Sequence, residues 1–361
     1  MKRLCIVPFT NQEYPLVQYL ASDYDICALV SPKGIGSSGV DIGIFRNEGE
    51  KGYTLLNSIE EGIRCSDVVL ISDVSPERQS LYAFAIKALE TAAAEKKEII
   101  SFLELNDEQA DSYKKLLTEN QKKCYFYQPD LFEEETENTT LYKLNVPVLY
   151  ISETIPRCGG YDVFLKLINR FQRDGKKVLA LSEDKYNELF SMHTVKFRDG
   201  TDLRAMVYRL NHIVYTLAQK VHPDIILIKL PEPMMKYDDE NPFDFGLTAY
   251  MVSQAVPGDG CIYCTYTGTP YMGFWDPVND SVLAKFGYPI LAVQVSNQII
   301  DSTSQSGVPT LYVQPHKTLS EIHLLNQYNN LQFYYISDEE GFDDLHCQIV
   351  NEFLKLPYGV I

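Results

Sequence analysis

The residues best placed to do chemistry lie just after an apolar run in the middle of the chain. Val148-Leu149-Tyr150-Ile151-Ser152 reads as a buried strand, and Glu153 to Gly160 as a short turn ending in paired glycines. Beyond it, Tyr161, Phe164, Leu165, Ile168 and Phe171 recur at helical spacing. Strand, glycine turn and helix together are the context of a phosphate loop, because backbone N–H groups and a helix N-terminus attract an anion. Arg157, Gly159 and Gly160 are therefore the candidate anion site. A working phosphate loop closes with Gly-Lys-Ser/Thr, its lysine on the terminal phosphates and its hydroxyl on magnesium. Here Tyr161 and Asp162 follow the glycines, and Lys166 lies one to two turns into the helix. The motif is phosphate-loop-like without its catalytic lysine. The alternative is a glycine turn that simply lets helix pack close to strand.

Other strand ends collect carboxylates: Glu153, then Ser182-Glu183-Asp184, then Pro231-Glu232-Pro233. If those strands are neighbours, Glu153, Glu183, Asp184 and Glu232 face one crevice. They are the candidate catalytic residues, as acid and base or as holders of hydrated Mg²⁺. The alternative is that loops in an acidic protein are acidic anyway.

Other constellations carry less. Cys261-Ile262-Tyr263-Cys264 has CxxC spacing, but no second pair or histidine at ligand spacing follows, and in a strand the two thiols point to opposite faces. Core cysteines are the expectation there, and no metal site. The six histidines form no HxH or HxxxH pair, and His346 and Cys347 are read as helix surface and core respectively. Gly34-Ile35-Gly36-Ser37-Ser38-Gly39 matches G-x-G-x-x-G, yet Val40 to Ile44 alternates like a strand instead of opening the helix that would hold a pyrophosphate. No cofactor is expected. The stretch from Tyr263 to Trp275 reads as an aromatic loop, suited to protein or peptide contacts or to serving as a lid.

These residues need elements to hold them, and the chain supplies a βα rhythm twice. In the first part, strands are predicted at Leu4–Phe9, Asp25–Val30, Asp67–Ser72, Glu98–Leu103 and Lys123–Tyr127. Helices fall between them at Tyr14–Ala21, Leu55–Arg64, Arg78–Glu95 and Asp107–Lys122. In the second, strands are predicted at Pro147–Ser152, Lys177–Leu181, Asp224–Leu230, Cys261–Thr265, Ile290–Val295, Thr310–Gln314 and Gln332–Ile336. The clearest helix is Asp202–Val221, ended by His222-Pro223. The fold class is α/β, with two doubly wound parallel-sheet domains, one Rossmann-like and one P-loop-like. Residues 1–130 form the first, 131–145 an acidic linker and 146–361 the second. Ligands of such sheets bind beyond the carboxyl ends of the strands, where the carboxylates and the glycine turn lie.

At 361 residues and 45% hydrophobic, the chain can build two cores. A formal charge of −17 argues against nucleic acid and against anionic membranes as partners. No run approaches the roughly 20 apolar residues of a bilayer span, and the apolar start after Lys2-Arg3 stops at Thr10, short of a signal peptide. Residence in the cytoplasm, with reduced core thiols, is the expectation.

Over its whole length the chain resembles the peptide maturation system proteins of clostridial natural-product cassettes. The resemblance lies in the opening Lys2-Arg3-Leu4-Cys5-Ile6-Val7-Pro8-Phe9, the block Val221 to Pro231 and the aromatic loop of the second half. It implies a role beside enzymes that modify a ribosomally made peptide, with a precursor peptide or modifying enzyme as partner, and carries over no catalytic residue. The order of the halves also looks like two-domain P-loop proteins acting on amino-acid derivatives, from which Tyr161 and Asp162 depart. The leading expectation is an accessory protein more than an enzyme. The alternative is an enzyme using the acidic crevice on a phosphorylated or amino-acid-derived ligand.

Overall fold

Short continuous apolar runs such as Val68–Ile71 and Ile225–Lys229 are buried along their whole length, the signature of strands covered on both faces in a parallel sheet. The computed structural model describes residues 1–119, 124–127, 139–190, 192–198, 200, 202–269, 273–301 and 310–356. It divides into two compact units, Met1–Pro129 and Asp130–Ile361.

The first unit runs β1 (Lys2–Val7), α1 (Tyr14–Leu20), β2 (Tyr24–Val30), β3 (Leu55–Leu56), α2 (Ile59–Arg64), β4 (Val68–Ile71), α3 (Gln79–Ala94), β5 (Glu98–Ser101), α4 (Asp107–Glu119) and β6 (Cys124–Phe126). Its sheet has the order β3-β2-β1-β4-β5-β6, all parallel. Two local expectations need correction. The segment 55–64 is a two-residue strand and then a short helix, because Leu55 and Leu56 pair with Leu29 and Val30 before Ser58 caps α2 through the Glu61 N–H. Residues 42–46 form a 3₁₀ turn instead of a strand, since the Asp41 carboxylate accepts from the Gly43, Lys51 and Gly52 N–H groups and ties the loop into a knot of turns. No α-helix opens after Gly39.

The second unit runs β7 (Val148–Glu153), α5 (Gly160–Arg173), β8 (Val178–Ser182), β9 (His193–Thr194), α6 (Leu203–Val221), β10 (Ile225–Lys229), α7 (Leu247–Ala255), β11 (Gly260–Tyr266), α8 (Trp275–Phe286), β12 (Ile290–Ser296), β13 (Gln298–Ile300), β14 (Thr310–Tyr312), α9 (Pro315–Tyr328), β15 (Phe333–Tyr334) and α10 (Glu339–Phe353). Its sheet order is β15-β12-β11-β7-β10-β8-β9, again all parallel. The two-domain, parallel α/β fold class is thus what the structure has. The predicted strand at 310–314 lies outside the sheet, because β14 pairs antiparallel with β13 as a separate ribbon. Within the stretch read as a linker, residues 131–138 lie outside the described residues. Tyr142 exchanges two hydrogen bonds with the Asn211 side chain, and Leu144 packs on the second unit's core.

One face of this sheet is filled by α6, α7 and α8 and carries the aromatic core. Tyr150 stacks on Tyr288 with ring centroids 4.7 Å apart. Trp275, 1% exposed, meets Tyr263, Phe274 and Phe333 edge-on. Trp275 is therefore core and not a contact residue, although Phe274 beside it is exposed. The reading of the last helix is reversed as well. His346 is buried against Phe171 and Cys347 is exposed, because α10 lays the His346 side onto α5.

Candidate functional site

The strand order places β10 between β7 and β8, so the carboxyl ends of all three open side by side. Each ends in a group that carries charge. Glu153 is the last residue of β7, Lys229 the last of β10, and Asp184 follows β8 by two residues. Lys229 Nζ lies 3.3 Å from Asp184 Oδ2 and 4.0 Å from Glu153 Oε2, with only 11% of its side chain exposed. Burial alone would lower the lysine, but Asp184 and Glu153 outweigh it and hold the ammonium above its usual range. For Glu153 burial is the larger effect and raises the carboxyl, while Lys229 and backbone donors pull it back. Sequence reasoning named Glu153 and Asp184 and missed Lys229. Its one signal was a cation closing an otherwise apolar strand.

The glycine turn is built around Glu153. Gly160 N–H donates to Glu153 Oε1 at 2.7 Å and Arg157 N–H to Glu153 Oε2 at 3.3 Å. The turn reaches this shape through left-handed backbone at Arg157 (φ 67°) and Gly159 (φ 91°). A side-chain carbon on Gly160 would stand 2.7 Å from Glu153 Cδ, so only glycine lets the carboxylate in. The chain's own carboxylate therefore sits on the N–H groups at the N-terminus of α5, the place where a phosphate loop holds its phosphate. The Arg157 side chain is exposed, and Lys166 turns away to the Ile336 carbonyl and Glu339.

Charges are exchanged relative to a nucleotide-hydrolysing site. There the loop supplies a lysine and an acidic residue elsewhere in the site helps hold magnesium. Here the loop position after Gly159 is Gly160, the anion comes from β7, and the cation comes from β10. Two further predicted carboxylates sit at the rim. Glu183, exposed at the surface, accepts from the Phe197 N–H at 2.8 Å, and partial desolvation of its carboxyl raises it. Glu232, half-buried, is raised by burial and then by the Asp244 and Glu183 charges. The structure thus brings Glu153, Glu183, Asp184 and Glu232 to one region, with Lys229 at its floor.

Asp244 belongs to an uncommon segment. Phe243, Asp244, Phe245 and Gly246 all have positive φ, at 43°, 53°, 60° and 71°, a left-handed run that costs energy at each non-glycine position. The Asp244 carboxylate holds it, accepting from the Gly246 N–H and from the Thr248 N–H and hydroxyl, with Arg198 3.6 Å away. Among the described residues, no group of three or more His, Cys, Asp or Glu side chains is placed to hold a metal ion.

No protein-family model matches the sequence, and no curated protein does. Among solved structures, the chain is similar to a DUF1611 family protein from Anabaena variabilis. That likeness covers 97% of this chain and all of the other, at 11% identity and a TM-score of 0.64, and it shows a shared fold. A nucleotide-binding protein in complex with ADP from Archaeoglobus fulgidus matches 58% of this chain and 89% of its own, at 14% identity and a TM-score of 0.32. Cobyrinic acid a,c-diamide synthase from Mycobacterium smegmatis, with bound ADP and magnesium, matches 52% of this chain and 83% of its own, at 13% identity and a TM-score of 0.31.

Proposed function

We propose that this chain is an accessory protein that binds instead of transferring phosphate, serving the maturation of a ribosomally made peptide by holding the precursor peptide or its modifying enzyme. The observation that carries the argument against phosphate transfer is Glu153 seated on the Gly160 and Arg157 N–H groups. A nucleotide phosphate entering that turn would meet a buried carboxylate, and the nearby ammonium is already held by Asp184 and Glu153. The peptide context is supported by the sequence resemblance at residues 2–9 and 221–231. The expected result is no rise in melting temperature with ATP or GTP, with or without Mg²⁺, and retention of a precursor peptide or modifying enzyme in a pull-down. A saturable nucleotide-dependent rise would overturn it, since a ligand at about 100 times its Kd stabilises by roughly 2.7 kcal/mol.

A second reading is an enzyme that uses the crevice on a phosphorylated or amino-acid-derived ligand. One observation favours it: Glu153, Glu183 and Glu232 all sit above the usual carboxylate range, as groups poised for proton transfer do. Its mark would be a melting shift with a phosphorylated amino acid that disappears in Glu232→Gln.

A further inference from the structure

Unit one holds a pair of thiols that the site in the second unit does not involve. Cys27 Sγ and Cys65 Sγ are 3.5 Å apart. Two features of the chain bring them together. Strands β1 and β2 pair Leu4 with Ile26 and then Cys5 with Ala28, so Cys27 is an extra residue, a bulge. In a regular strand Cys27 and Ala28 would face opposite sides. The bulge turns both toward the core that α2 covers, where Ala28 is buried and Cys27 packs at the margin. From the other side, Cys65 closes α2, its N–H on the Glu61 and Ile63 carbonyls, and its thiol reaches the Gly62 carbonyl and Cys27. Strand β3 meets β2 at Leu29 and Val30, beyond Cys27. Both thiols are half-buried, which leaves them within reach of a small oxidant. Cys5, near both, is fully buried.

To form a disulfide the two sulfurs must close from 3.5 Å to roughly 2.0 Å. We infer that Cys27 and Cys65 form a reversible dithiol–disulfide site for which a peroxide, such as hydrogen peroxide, is the oxidant. Burial and then the Cys65 contact push the Cys27 thiol up to about 12 and keep it protonated; the thiolate and not the thiol attacks a peroxide, so the first attack is assigned to the Cys65 sulfur. The Cys65 sulfur takes one peroxide oxygen, the O–O bond breaks, the Cys65 proton leaves in a water, and Cys65 becomes a sulfenic acid. The Cys27 sulfur then attacks the Cys65 sulfur, the S–O bond breaks, and the hydroxyl leaves with the Cys27 proton as a second water. Two thiols lose two electrons, and the peroxide is reduced to two waters.

The test is to treat the full chain with hydrogen peroxide, alkylate it under denaturing conditions, and digest it without reduction. Trypsin is combined with a protease that cuts after Glu13, so that Cys5 and Cys27 fall on separate peptides. The expected result is a Cys27–Cys65 linked pair that dithiothreitol removes, with loss of both alkylation sites. Cys27→Ser should trap Cys65 as a sulfenic acid that dimedone labels, and Cys65→Ser should give no link. Full alkylation of Cys27 and Cys65 after peroxide, with oxidation only at exposed Cys347, would overturn the inference. A link from Cys5 to either partner would do so too. Both decisive readouts are taken on the unaltered chain, so a variant that folds poorly leaves the outcome legible.

Discussion

At the scale of the residue, the site turns on one lysine between two carboxylates. Lys229→Met leaves the buried Glu153 and the partly exposed Asp184 without their cation, and the expected loss is about 3–5 kcal/mol in urea unfolding. Glu153→Gln keeps an oxygen for the Gly160 N–H and leaves Lys229 its Asp184 partner, so the expected loss is smaller, about 1–2 kcal/mol. A reversed order would show that Lys229 is not the centre of the cluster. Glu232 gives a pH test. Its carboxyl is raised from 4.5 by burial and by Asp244 and Glu183, so the folded state binds its proton more tightly than the unfolded state does. Stability from this group is therefore full below the unfolded value and falls as pH rises through the raised one. Glu232→Gln should melt above the unaltered chain at about pH 8, with the gap closing toward about pH 4; a gap that widens on acidification would refute the assignment. The carboxylates were legible because they follow apolar runs where open sheets bind ligands. Lys229 was not, because a terminal lysine on a strand ordinarily reaches to solvent, and only the strand order shows that carboxylates enclose it.

At the scale of the element, long periodic segments were read closely, and some of the short ones were missed. The stripe from Leu203 to Val221 gave α6 to within a residue, and Asp202 caps it through the Arg204 and Ala205 N–H groups. Strands β3 and β9 are two residues each, too short for any period, and exist only because a neighbouring edge offers partners. The Thr310 run looked like a sheet strand, yet a ribbon partner at 298–300 captured it. The left-handed run at 243–246 left no glycine-rich trace beyond Gly246. A side-chain carbon there would collide with the Met234 carbonyl oxygen, whereas one at Gly287, also at positive φ, meets nothing within 4 Å. Gly246→Ala should therefore cost about 2 kcal/mol or more and Gly287→Ala about 1 kcal/mol. Equal losses in denaturant titration would mean the run at 243–246 relaxes without strain.

At the scale of the whole molecule, the two units each close their own parallel sheet around their own apolar cluster. No helix among the described residues is long and apolar enough to cross a membrane. The expression of residues 1–129 and 130–361 as separate chains should give two products that each unfold cooperatively, as domains with private cores do; a second fragment lacking a cooperative transition would contradict this. The aromatic box around Trp275 then has an optical consequence. It is the chain's single tryptophan and it lies in the second unit, shielded from water by Tyr263, Phe274 and Phe333. Indole emission is therefore a built-in reporter for that unit alone. A red shift on heating would time the opening of the half that holds Glu153 and Lys229, while the half that holds Cys27 and Cys65 stays dark at that wavelength.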